Sequence, residues 1–128
     1  MDELERWLEK AERDILMAHR SAALGAYEWA IRQAVYAAEI ALRTYLALRR
    51  GEYLRLHEVF EFAETAQSPE RVQEASWRLA FFQEYEGLLR DYTPEEAAEA
   101  VRLAEEVLQW VRESISIPSS YGIRAKTG

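Results

Sequence analysis

The chain has 128 residues, 49% of them hydrophobic, which is enough for one domain with a substantial core. Its 23 acidic and 16 basic residues give a net charge of −7, so no overall field draws it to nucleic acid or an anionic membrane, although a local basic patch stays open. There is no cysteine and there are two histidines, His19 and His57, far apart; this excludes disulfides, thiolate metal sites and cysteine nucleophiles and argues against a metal centre within one chain. No apolar run approaches a membrane span and the N-terminus is acidic rather than signal-like, so the expected address is the cytoplasm.

The first helix runs from a cap at Asp2 to about Leu24. Leu4, Leu8, Ala11, Ile15, Ala18 and Ala22 recur in steps of four and three and give it one apolar face. Gly25 stops it as a left-handed cap. The link to the second helix is short, so the two form an antiparallel hairpin.

The second helix, Tyr27 to Arg50, is the centre of the design. It has no Gly or Pro, and Ala30, Ala34, Ala37, Ala38 and Ala41 recur at helical spacing. Small side chains let neighbouring helices approach closely, so this helix is expected to be the most buried. Glu39 and Arg43 sit on it one turn apart, and their spacing reads first as a solvated surface pair. Arg49 and Arg50 before Gly51 suit the negative end of the helix dipole.

Glu52 to Gln67 reads as a short additional helix, with Leu56, Val59, Phe60 and Ala63 on one face. Ser68-Pro69-Glu70 is a strong helix start: a capping Ser, Pro at the first position, an acid in the first turn. The helix after it carries two apolar stripes, Val72, Ala75, Leu79, Phe82 and Leu89, and Trp77, Phe81, Tyr85 and Leu88. A helix apolar on more than one side lies deep in a core or at a subunit interface. Thr93 and Glu96 form a capping box for the last helix, whose apolar face is Ala97, Val101, Ala104, Leu108, Val111 and Ile115, widened by Leu103, Val107 and Trp110. The expected fold is all-α: an up-and-down four-helix bundle over residues 1–116 with one additional short helix, then a flexible tail over 117–128.

There is no Gly-rich phosphate loop, no HExxH, no Ser-centred elbow and no paired ExxH motif, so no cofactor is expected. Two clusters have anion-binding character. His57 lies near Arg55, Arg49 and Arg50; the bland alternative is a basic surface. Arg90 and Tyr92, with Tyr85 before them, suit a phosphate or a base, and equally suit capping of helix carbonyls.

The ordered set of features resembles the HEPN family of small helical domains, over roughly residues 5 to 113. Trp7, Ala11, Asp14, Ile15 and Ala18 resemble the family's W-x3-A-x2-D-[LI]-x2-A opening. Gly25, Tyr27, Trp29 and Ala30 resemble G-[DE]-Y-x-W-A, with Ala26 where an acid is usual. Ala37-Ala38-Glu39-x-Ala41-Leu42-Arg43 resembles AAExALK, with Arg for Lys. His57 stands where many members have a His, Tyr85 with Arg90 and Tyr92 resembles the Y…RY segment, and Trp110-Val111 fits the end of the last helix.

The resemblance implies a homodimer with a shared cleft that binds a nucleotide, a small nucleotidyltransferase partner, or both, as in some toxin–antitoxin pairs. By the same resemblance Asp14, Glu39, Arg43, His57, Tyr85, Arg90 and Tyr92 approach that cleft. Arg43 and Arg90 meet phosphate, Tyr85 or Tyr92 stacks, and Glu39 orients Arg43. The family's ribonucleases carry Arg-x4-6-His. Here no His follows Arg90, and Arg13 with His19 has the spacing but lies in the first helix. A non-catalytic binding protein is therefore expected; the alternative is a metal-independent ribonuclease toxin acting on RNA with a degenerate motif around Arg90.

Overall fold

The structure, a computed structural model, describes residues 3–51, 68–84 and 91–116. The short helix expected over 52–67, the segment 85–90 and the tail lie outside the described residues. Four helices make up the fold there: α1 (Glu3–Ala23), α2 (Tyr27–Arg50), α3 (Glu70–Glu84) and α4 (Pro94–Ser116). The bundle is all-α, as expected.

Local chemistry sets the helix limits. Gly25 has φ +84°, and its N–H and that of Ala26 reach back to the carbonyls of Ala22 at 3.1 Å and Ser21 at 2.8 Å. α2 then starts without a side-chain cap at Ala26. It ends at Gly51, φ +69°, whose N–H bonds back to the carbonyls of Ala47 and Leu46. A left-handed residue at these two points closes the helix carbonyls at no Cβ penalty. At the start of α4 the capping box is formed in full: Glu96 N–H donates to Thr93 Oγ1 at 3.1 Å and Thr93 N–H to Glu96 Oε1 at 3.0 Å.

α2 is the central helix, packed along most of its length against α1 and α4, while α3 leans mainly on α4. Ala11 and Ala18 of α1 and Ala30, Ala34, Ala37, Ala38 and Ala41 of α2 have no exposed surface. The largest fully buried apolar side chains are Leu42, Leu46, Leu79, Val72, Val107 and Val111, and Tyr45 packs on Trp110 with ring centroids 4.6 Å apart. Two hydroxyls inside it, Thr44 and Ser76, each donate to the carbonyl four residues back, of Ile40 and Val72, at 2.8 Å. Polar ties close the outside: Glu12 with Arg112 and His19 with Glu105 join α1 to α4, and Arg78 with Glu99 joins α3 to α4. Arg49 donates to the carbonyl of Ser114 and lies over the Tyr45 ring, so its place is at the end of α4.

The two stripes of α3 part company. Val72, Ala75 and Leu79 are buried and Phe82 is half-buried against the core. Trp77 and Phe81 are each 59% exposed. For the two described members of the second stripe a deep core position is therefore not the explanation; Tyr85 and Leu88 lie outside the described residues.

Candidate functional site

Two helical stripes face each other across the α1–α2 hairpin. Trp7, Lys10 and Asp14 follow one another at steps of three and four on α1; Tyr36, Ile40 and Arg43 do so at four and three on α2. The antiparallel hairpin brings the start of the first stripe against the end of the second. Between them lies a groove of about 240 Å³, lined among the described residues by Trp7, Lys10, Tyr36, Ile40 and Arg43.

Each cation in the groove rests on a ring from the opposite helix. The Arg43 guanidinium lies 5.6 Å from the centre of the Trp7 ring, and Lys10 Nζ lies 5.1 Å from that of Tyr36. Such stacking stabilises the charge but leaves the N–H groups unused. Arg43 Nε is buried and no acceptor among the described residues reaches it. Lys10 reaches the two oxygens of Asp14 at 3.3 and 3.4 Å, a long and partly exposed pairing. Among the described residues no group of three His, Cys, Asp or Glu could hold a metal ion.

The expected site residues separate into three groups. Arg43 forms a wall of this groove; Asp14 does not line it but pairs with Lys10, which does. Glu39 and Tyr92 are buried, 3% and 8% exposed, and neither lines the groove. For Glu39 this burial corrects the solvated-surface reading. Tyr92, just before α4, belongs to the hydrophobic core. His57, Tyr85 and Arg90 lie outside the described residues. His19, whose spacing from Arg13 matches a nuclease motif, is instead half-exposed and 2.9 Å from Glu105.

Sequence reasoning missed Trp7, Lys10 and Tyr36 as groove residues. The signal was present in their spacing and in the short hairpin link, which together fix which turns of α1 and α2 are neighbours.

The chain matches the HEPN domain model over residues 4–114. It belongs to the HEPN family. Among solved structures, TT1696 from Thermus thermophilus is similar at 31% identity, with 88% of this chain and 98% of that one covered and a TM-score of 0.73. ST0689, an archaeal HEPN homologue, shares the fold at 23% identity and a TM-score of 0.77, with 90% of this chain and 99% of that one covered. No protein of curated function matches the chain. As a HEPN protein it has no helix among the described residues long and apolar enough to cross a membrane.

Proposed function

We propose that this HEPN protein is a non-catalytic, homodimeric binding module. Its ligand is a nucleotide, and its protein partner a small nucleotidyltransferase of the kind found in toxin–antitoxin pairs. The observation that carries the reading is a groove between two helices in which the family-matched Arg43 of α2 and Lys10 of α1 each lie over an aromatic ring of the other helix. A guanidinium with a buried, unanswered Nε–H is suited to an anionic ligand. On this reading Arg90, with Tyr85 and His57, completes the cleft, and the absence of a His after Arg90 in the sequence supports binding without cleavage.

Dimerisation is supported by Trp77 and Phe81, large apolar groups one turn apart on the outer side of α3 and well exposed. The direct test is nucleotide binding by the full chain, wild type against Arg90→Ala, followed by calorimetry. Weaker binding with an unchanged melting temperature supports the reading. Binding unchanged, or a collapse in stability, makes Arg90 structural and ends that assignment. RNA cleaved by wild type and not by Arg90→Ala would instead establish the ribonuclease alternative. Isolation of the tagged protein from its native host, with or without a nucleotidyltransferase at near-equal amount, tests the partner.

A further inference from the structure

The groove between α1 and α2 has a chemistry of its own. It is small: about 240 Å³, against the roughly 300–1,000 Å³ of pockets that enclose a whole drug-sized ligand. It is suited to one group of a ligand rather than to the entire molecule. Its two cations come from different helices and both are backed by aromatic rings. Each ring covers one side of its cation and offers no acceptor in the plane of the Arg43 guanidinium, so the N–H donors are directed away from the rings.

Arg43 is the sharper clue. A carboxylate of the protein's own that gripped the guanidinium side-on would use Nε, and Nε meets no acceptor among the described residues. Lys10 is the softer one. Its ammonium has three donors, its contacts with Asp14 are 3.3 and 3.4 Å, and its side chain is 45% exposed, so it can turn to a ligand while Asp14 keeps it near. Glu39, one turn before Arg43, does not line the groove.

We propose that this groove is an oxyanion subsite that takes one phosphate group of the bound ligand, with Arg43 and Lys10 as donors and Trp7 and Tyr36 as the walls that hold them. The proposal rests on the nucleotide-binding reading for the source of that phosphate, and it assigns roles to Trp7, Lys10 and Tyr36 that the family motifs do not. Phosphate is favoured over a single carboxylate because its three oxygens and near-double charge can use donors from both walls at once.

The test uses the full chain and two probes, inorganic phosphate and ATP. Binding of phosphate is followed by nuclear magnetic resonance at the Trp7 indole, and binding of ATP by calorimetry. Arg43→Gln is expected to weaken both about tenfold or more, as loss of a charge-assisted donor does. Lys10→Gln is expected to weaken both by less. Arg43→Lys keeps the charge and the alkyl stem, so it remains a fair probe if Arg43→Gln does not fold; it is expected to fall between wild type and Arg43→Gln.

Each outcome decides something. Phosphate binding that depends on Arg43 and Lys10, without ATP binding, supports the groove and overturns the nucleotide reading. ATP binding that Arg90→Ala abolishes but that Arg43 and Lys10 substitutions leave alone overturns the groove and keeps the nucleotide reading. If wild type binds neither probe, both fall.

Discussion

The α1–α2 hairpin and α3 are built on opposite principles. The hairpin is rich in buried alanines: Ala11 and Ala18 on α1 and Ala30, Ala34, Ala37 and Ala41 on α2 have no exposed surface, and Ser21 Oγ and the Gln33 amide lie 2.8 Å apart across it. α3 is shorter and is held by a few large side chains, Val72 and Leu79 above all, plus the Arg78–Glu99 pair. It also leaves Trp77 and Phe81 in solvent. The difference bears on where the proposed ligand and the proposed second copy would sit. A seam of small residues fixes two helices rigidly, so a groove along its edge can hold cations in place. A helix held by one buried stripe keeps large apolar groups such as Trp77 and Phe81 more than half exposed on another side.

The largest expected effect comes from breaking α3's grip. Leu79 is fully buried, and Leu79→Ala removes transfer energy and leaves a cavity, so stability should fall by about 2–5 kcal/mol in denaturant unfolding. Ala37→Leu attacks the hairpin in the opposite way, by crowding a position with no exposed surface. It should cost about 1–3 kcal/mol, and it should also weaken ligand binding, because forcing the helices apart displaces Arg43 from Trp7. Leu79→Ala in protein that is still folded should leave ligand binding nearly intact. Equal loss of binding in both would dissolve the contrast between the two regions.

Trp77→Glu tests the outer side of α3. With 59% of Trp77 exposed, the monomer's stability should change by less than about 1 kcal/mol, while a dimer seated on this face should dissociate in sedimentation. A dimer that survives the change uses another face.

Much of this was legible before the structure. The limits of the helices followed from Gly25, Gly51, Pro69 and the Thr93–Glu96 box, because caps are chemistry between near neighbours in the chain. The central place of α2 followed from its alanines. Glu39 did not: four residues before Arg43 it looks like half of a surface pair, and its 3% exposure depends on what other elements bring to it. Lys10 and Tyr36 were also passed over, since each is an ordinary residue until the opposite helix supplies its partner. Trp77 and Phe81 stood between two readings in the sequence, and their exposure removed one of them.

The smallest effects sharpen the comparison most, because they use one matched pair. Thr44 on α2 and Ser76 on α3 are both fully buried, and both hydroxyls bond the carbonyl four residues back. That carbonyl keeps its helical N–H partner when the hydroxyl goes, so Thr44→Val and Ser76→Ala leave no orphaned group. Ser76→Ala also gains helix propensity, about half a kcal/mol. Both variants should unfold within about 1 kcal/mol of wild type. If Thr44→Val alone costs much more, the tight hairpin region penalises even an isosteric change that the α3 region tolerates. The rigidity inferred for the α1–α2 seam would then have a direct measure in a residue that touches neither the groove nor the exposed ridge.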